Sequence, residues 1–157
     1  MKIRIAAATE DDVPIILKLI KDLATYEKLP HAVTEAALRD SLFRKRAAET
    51  FIAYADEEPA AYAMFFQTFS TFKGLPGMYL EDLYVEERFR GHGIGRLLLA
   101  HLARIAVGRG CARMDWAVLD WNAPAIGFYK TLGAAPVDDW TIFRLKGEPL
   151  RKLASGG

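Results

Sequence analysis

Two different periods of apolar residues run through the first part of the chain. Ile3 and Ile5 alternate with charged neighbours, which predicts a short first strand. From Thr9, which has the character of an N-cap, apolar residues follow every three or four positions and predict a first helix. The apolar stripe of this helix consists of Val13, Ile16, Leu17, Ile20, Leu23 and Ala24. Thr34 has the same capping character and predicts a shorter second helix through Leu42.

The middle of the chain has the pattern of strands. Residues 51–55 and 61–66 are rich in aromatic and small apolar side chains, and the Asp-Glu-Glu-Pro segment at 56–59 has turn composition. These three segments together predict an antiparallel hairpin. Residues 70–77, with two glycines and a proline, predict a loop, and residues 78–85 predict a further strand.

Helices and strands alternate in the second half. Residues 94–106 have a strong helical period, and residues 114–118 alternate as a strand does. Asn122 is expected to cap another helix, which has Pro124 in its first turn. A last pair of strands is predicted within residues 137–146.

The order of these elements predicts an α/β (α+β) fold. We expect a mixed, mostly antiparallel central sheet of about six or seven strands, with helices on both faces. The length of 157 residues favours one domain, residues 1–154, followed by a flexible tail at residues 155–157.

Composition excludes several classes of function. Lys and Arg total 21 against 20 Asp and Glu, so the chain lacks the large excess of positive charge that would favour nucleic-acid binding. No apolar run is long enough to span a membrane, so no membrane association is expected. The single cysteine, Cys111, cannot form an intrachain disulfide, and three scattered histidines lack metal-ligand spacing. We therefore expect a cytoplasmic protein without a metal.

The glycine-rich turn at residues 90–95 is the most informative segment. A strand, a turn with Gly91, Gly93 and Gly95, and a helix start together point several backbone N–H groups at one place, which favours an anion site. The phosphate loop that needs Gly-Lys-Ser/Thr is excluded because Arg96 follows Gly95, and Arg96 also excludes the dinucleotide fingerprint. Taken alone, the turn could also be a simple connection between strand and helix.

The glycine-rich turn and three further segments resemble, in the same order, those of the GNAT-type N-acetyltransferases. Arg90-Gly91-His92-Gly93-Ile94-Gly95 is similar to the coenzyme A loop of that family. Residues 17–27, 79–85 and 121–130 look closest to the diamine (spermidine/spermine) and thialysine N-acetyltransferases within it. The resemblance implies the GNAT fold, acetyl-coenzyme A as cosubstrate, a small-molecule amine as acceptor, and a homodimer.

The resemblance also implies roles for particular residues. The residues implied to bind the coenzyme are Leu83, Tyr84, Val85, Arg90, Gly91, His92, Gly93, Ile94, Gly95, Asn122, Pro124 and Ala125. The residues implied to bind the acceptor are Tyr26, Glu27, Glu81 and Asp82, and Tyr129 is implied to be the general acid.

Amine acetylation requires a base, because an alkylammonium with a pKa of about 10.4 is only about one part in a thousand neutral at pH 7. Glu81, directly or through a water, is the candidate base, and Tyr129 is the candidate donor to the departing thiolate. A backbone N–H near Leu83 that polarises the thioester oxygen requires a break in strand pairing, which predicts a bulge around Glu81 to Leu83. Regular alternation would place Leu80 and Asp82 on one face of this strand.

Simpler interpretations of these residues stay open at this stage. Tyr129 could be a core residue, Glu81 and Asp82 could be solvated charges, and Tyr26 with Glu27 could be only a helix end. The chemistry needs no nucleophile, so Cys111 is expected to be a packed side chain. The alternative functions are acetylation of another amine, namely an aminoglycoside, another amino acid or a protein N-terminus, and acetyl-coenzyme A binding by a non-catalytic regulator.

Overall fold

A computed structural model describes residues 1–156, which divide into two compact units, Met1–Ala117 and the residues from Val118 onward. Gly157, part of the expected tail, lies outside the described residues. Among residues 1–156, no helix combines the length and apolar content that a membrane crossing requires.

The first unit contains a five-stranded sheet, counted over the described residues. Its strands in chain order are β1 Ile3–Ala7, β2 Glu49–Ala55, β3 Glu58–Ser70, β4 Leu75–Val85 and β5 Met114–Trp116. Their spatial order equals their chain order, with antiparallel pairs from β1 to β4 and a parallel pair between β4 and β5. The predicted mixed, mostly antiparallel sheet is therefore confirmed, with fewer strands than the six or seven expected.

Helices of the first unit lie on both faces of this sheet. The chain order is a 3-10 turn at Glu10–Asp12, α1 Val13–Glu27, α2 Glu35–Leu38, a π-helical segment Arg39–Arg44, a 3-10 turn at Glu87–Phe89, and α3 Ile94–Gly108. Thr34 caps α2 as predicted, because its Oγ1 accepts a hydrogen bond from Ala37 N at 3.1 Å.

The main core forms where α1 and α2 cover one sheet face. Val13, Ile16 and Leu19 of α1 are fully buried against a face that includes Ile52 and Tyr62. Leu17, which the predicted stripe included, is only half-buried, because Leu19 occupies the buried position after Ile16.

The other face of the sheet packs against α3. Phe51 stacks on Phe65 with ring centroids 6.1 Å apart, and the His101 ring of α3 lies edge-on to Phe51 at 4.6 Å. Arg109, just after α3, donates two hydrogen bonds to Glu49 of β2. The expected helices on both faces are thus confirmed.

The second unit contains α4 Ala123–Thr131 and α5 Glu148–Ala154. The strand pair predicted within residues 137–146 is wrong, since these residues have no strand structure. All of them are exposed, and no neighbouring strand supplies the hydrogen bonds that an isolated strand lacks. The sequence pattern also missed α5, which carries only Leu150 and Leu153 at helical spacing.

Candidate active site

A β-bulge interrupts the pairing of β3 with β4. Met64 pairs with Asp82, and the next residue, Phe65, pairs with Leu80, so Glu81 is the extra residue of the bulge. The bulge predicted around Glu81 is therefore confirmed. It also reverses one expectation, because the extra residue places Leu80 and Asp82 on opposite faces of the sheet rather than on the same one.

Beyond this bulge, β4 has a strand neighbour on one side only. β5 pairs with β4 from Met78 to Leu80, and its last partner residue is Trp116. Within the described residues, positions 82–85 of β4 pair with β3 alone. The backbone groups of this segment on its other side can therefore bind a ligand with hydrogen bonds of the kind that a strand makes.

Three carboxylates come together on the face covered by α1. Asp82 lies on this face beside Glu81, and Glu27 ends α1. Burial raises the pKa of Asp82 to about 6, and the charges of Glu81 and Glu27 act in the same direction. Burial also raises the pKa of Glu27. The structure thus brings these predicted acceptor-binding residues within electrostatic range of one another.

Tyr26, the other predicted acceptor residue, belongs to an aromatic and cationic cluster. Its ring centroid lies 6.4 Å from that of Tyr84 on β4. The Arg90 guanidinium lies 4.7 Å from the Tyr26 centroid and 5.6 Å from that of Tyr84, distances typical of cation–π contacts. Arg90 Nε also donates a hydrogen bond to Val85 O at 2.9 Å. Arg90 therefore connects the glycine-rich turn with the end of α1.

Ion pairs hold α1 against the end of β4. Lys18 Nζ lies 2.7 Å from Asp22 Oδ2 and 2.6 Å from Glu86 Oε1. The Glu86 side chain is only 12% exposed, which favours a defined geometry over a loose surface pair. An open groove of about 510 Å³ lies beside this pair and includes Tyr84 and Arg88 in its lining.

The glycine-rich turn has the backbone geometry of an anion site. Gly91 and Gly93 have positive φ angles of 79° and 77°, a conformation that glycine adopts without strain. The first turn of α3 is closed by the bond from Leu97 N to Gly93 O at 3.0 Å. The N–H groups of residues 94–96 therefore have no intrahelical acceptor and point out of the helix end.

His92 within this turn has a structural contact of its own. Its Nδ1 lies 3.0 Å from Arg90 O and 3.2 Å from Phe89 O. Because a carbonyl oxygen only accepts, Nδ1 carries the proton and donates to the turn. His92 is exposed, and its ring stabilises the shape of the turn.

The remaining predicted residues lie in the second unit. Asn122 is buried and caps α4, because its Oδ1 accepts a hydrogen bond from Ala125 N at 3.3 Å. Pro124 occupies the first turn, as predicted. Tyr129, two turns into α4, is half-buried with its ring 5.7 Å from that of Phe128.

Other reactive groups supply no further chemistry to this site. Cys111 is half-buried after α3, and its amide donates to Ala106 O at 2.9 Å. Across residues 1–156, no three His, Cys, Asp or Glu side chains are grouped as metal ligands.

Tyr62 is the residue of this region that sequence reasoning missed. Its hydroxyl donates a hydrogen bond to Asp82 Oδ2 at 3.0 Å, although the residue itself is fully buried. Within an apolar run it has the pattern of a core residue. Only the strand register, which pairs Tyr62 with Tyr84 two residues beyond Asp82, could have placed it near the carboxylate.

Comparisons with known proteins identify the family of the chain. The chain matches the model of the "Acetyltransferase (GNAT) family" over residues 14–134. It is 39% identical over 166 residues to "Thialysine N-epsilon-acetyltransferase" of Bos taurus, with 97% of each chain covered. It is 30% identical over 198 residues to "L-ornithine N5-acetyltransferase NATA1" of Arabidopsis thaliana, with 96% of this chain and 87% of that protein covered.

A solved structure, integron cassette protein VCH_CASS6 from the mobile metagenome of V. cholerae, superposes with a TM-score of 0.83. The two sequences are 29% identical, and 98% of each chain is covered. The resemblance inferred from the sequence motifs is confirmed, and the chain is an acyltransferase enzyme that belongs to the GNAT family of acetyltransferases.

Proposed function

We propose that the protein transfers the acetyl group of acetyl-coenzyme A directly to a primary amine of a small cationic acceptor in a ternary complex. The acceptor is a diamine, a polyamine or a lysine-like amino acid. The observation that carries the proposal is the course of β4. After the bulge at Glu81, residues 82–85 have a strand neighbour on one side only among the described residues, and the chain then leads to the start of α3, where backbone N–H groups have no intrahelical acceptor.

The residues of this region fit a coenzyme with a diphosphate. The N–H groups at the start of α3 and its helix dipole favour a negative charge, and no side chain caps this helix end. A Cβ atom built on Gly91 or Gly93 would meet no neighbouring atom, so the space beside the turn is open. The proposed coenzyme-binding set comprises Leu83, Tyr84, Val85, Arg90, Gly91, His92, Gly93, Ile94, Gly95, Asn122, Pro124 and Ala125.

The proposed chemistry uses two side chains. Glu81 accepts the proton of the acceptor ammonium, directly or through a water, and so frees the nitrogen lone pair for attack on the thioester carbon. A backbone N–H of the bulged segment stabilises the resulting oxyanion. When the C–S bond breaks, Tyr129 donates its hydroxyl proton to the thiolate, and the second proton that the acceptor nitrogen loses as the amide forms restores the hydroxyl of Tyr129.

The acceptor assignment rests on local negative charge. Glu27 and Glu81 lie within electrostatic range of Asp82, although the chain as a whole has a formal net charge of only +1. Such a cluster attracts a cation and repels an acidic acceptor. Two relatives are named for thialysine and L-ornithine, which are amino acids that carry a second amine at the end of the side chain.

An acetylation assay with a panel of amines tests the proposal. The panel contains thialysine, L-ornithine, lysine, a short diamine and spermidine, with an aminoglycoside and a peptide N-terminus as comparison acceptors. We expect the largest kcat/KM among the first five. Turnover of the comparison acceptors alone would contradict the acceptor assignment.

The cellular setting is also proposed. We infer a cytoplasmic homodimer, because one unpaired cysteine suits a reducing compartment and the second unit exposes many apolar side chains.

A further inference from the structure

A buried tyrosine faces the acceptor-binding carboxylates. Tyr62 lies on β3 between Ile52 of β2 and Tyr84 of β4, and none of its surface is exposed. Its side chain belongs to the core cluster under α1, so the position of its ring is fixed. The hydroxyl oxygen lies 3.0 Å from Asp82 Oδ2.

An apolar pair could stabilise the core at least as well as this polar pair does. Burying a carboxylate and a hydroxyl costs free energy that an apolar pair of similar volume would avoid, even when the two groups bond to each other. A phenylalanine at position 62 would fill the same core volume without the hydroxyl. Packing therefore does not explain why position 62 carries a hydroxyl group.

The charges around Asp82 show what the hydroxyl does. Burial opposes the ionised form of Asp82, and so do the neighbouring carboxylates of Glu27 on α1 and Glu81 on β4. The hydrogen bond from Tyr62 on β3 acts in the opposite direction and lowers the pKa of Asp82. Burial and Asp82 raise the pKa of Tyr62 itself well above its usual range, so the hydroxyl keeps its proton and remains a donor.

We propose that Tyr62 is a positioning residue that keeps the Asp82 carboxylate ionised and oriented, so that Asp82 can bind the ammonium of the acceptor. The inference rests on the proposed function, since it requires a cationic acceptor. Tyr62 touches neither the acceptor nor the thioester in this assignment, and it acts through Asp82 alone.

Tyr62→Phe tests this role, with Tyr54→Phe on β2 as the matched control. Tyr54 is a half-buried tyrosine of the same sheet whose ring contacts Arg4 rather than Asp82. Only the ionised form of Asp82 binds the ammonium. If loss of the hydrogen bond raises the pKa of Asp82 by about one pH unit, the KM for the amine therefore rises about five-fold at pH 6 and about two-fold at pH 7. We expect no change near pH 8.5, and no change at any pH in kcat or in the KM for acetyl-coenzyme A.

A carbon-13 NMR titration of the Asp82 carboxylate provides a readout that does not depend on activity. A higher titration midpoint in Tyr62→Phe, together with the pH-dependent KM effect, supports the inference. An unchanged midpoint would overturn it, and so would a raised midpoint with an unchanged KM. A wild-type protein that acetylates no amine would contradict the proposed function instead, which separates the two failures.

Discussion

At the scale of single residues, the proposed general acid can be separated from coenzyme binding. Tyr129→Phe removes only the hydroxyl that would protonate the departing thiolate. We expect kcat to fall about 100-fold or more, because general acid catalysis contributes about 10² to 10⁴ in rate. The affinity for acetyl-coenzyme A, measured by calorimetry, should stay at the wild-type value. A variant with wild-type turnover would remove Tyr129 from the mechanism.

The raised pKa of Asp82 has a consequence for stability. The folded state holds the Asp82 proton up to about pH 6, whereas the ordinary pKa of an aspartate side chain is 3.8. The folded state therefore binds more protons than the unfolded state between about pH 4 and pH 6, and this residue's contribution to stability falls as pH rises through that window. At neutral pH the ionised Asp82 opposes folding.

Asp82→Asn should therefore stabilise the fold while it impairs acceptor binding. We expect the free energy of unfolding to rise by about 1 to 3 kcal/mol at pH 8 and to change little at pH 4, where Asp82 is already neutral. Urea unfolding at both pH values measures this difference. Asp138→Asn, at an exposed position, is the control and should stay within about 0.5 kcal/mol. A loss of stability at pH 8 in Asp82→Asn would contradict the expected sign.

The residues around the bulge show why a sequence pattern predicts which side chains take part in the chemistry better than it predicts which face of the sheet they lie on. The bulge could be predicted because an oxyanion contact in mid-strand requires a break in the ladder. The face of Asp82 could not, because strand alternation has a period of two and one extra residue at Glu81 reverses it. Tyr62 was missed for a related reason, since its partner is set by strand register and not by its own neighbours in sequence.

At the scale of elements, the backbone conformation of α3 depends more on Gly93 at its start than on Gly108 at its end. Gly93 has a positive φ of 77°, and Gly108 at the other end of the helix does not have a positive φ. A Cβ atom would meet no neighbour at either position, so the backbone conformation alone distinguishes them. The two ends of one helix thus offer a matched pair of substitutions.

Gly93→Ala should strain the turn by about 1 to 2 kcal/mol and displace the amides at the helix start. We expect the dissociation constant for coenzyme A to rise about ten-fold or more by calorimetry. Gly108→Ala should leave that constant unchanged, and its free energy of unfolding should be equal or slightly higher, because alanine favours a helix over glycine. Equal coenzyme affinity in both variants would argue against a diphosphate at this turn.

The elements that the sequence predicted correctly have local signals. Both α1 and α3 have apolar periods of their own, and Thr34 caps α2 through a residue only three positions away. The prediction of strands within residues 137–146 is wrong because a strand needs a neighbouring strand to pair with, and a sequence pattern does not show which segment would supply it. The short α5 has too few apolar residues for its period to be noticed.

At the scale of the whole molecule, the second unit bears on the proposed homodimer. Every residue from 135 to 156 is exposed, and the large apolar side chains among them are Val137, Trp140, Ile142, Phe143, Leu145, Leu150 and Leu153. Exposed apolar patches of this kind mark interaction surfaces.

Phe143 and Phe72 allow this surface to be tested with one kind of substitution. Phe143 is 92% exposed in the second unit, and Phe72 is 99% exposed in the turn between β3 and β4. We expect the wild-type protein and Phe72→Asp to have the mass of a dimer by light scattering, and Phe143→Asp to have that of a monomer, because a carboxylate in an apolar interface is strongly unfavourable. A monomeric wild type would contradict the homodimer. A dimeric Phe143→Asp would leave the homodimer standing but would place its interface away from this segment.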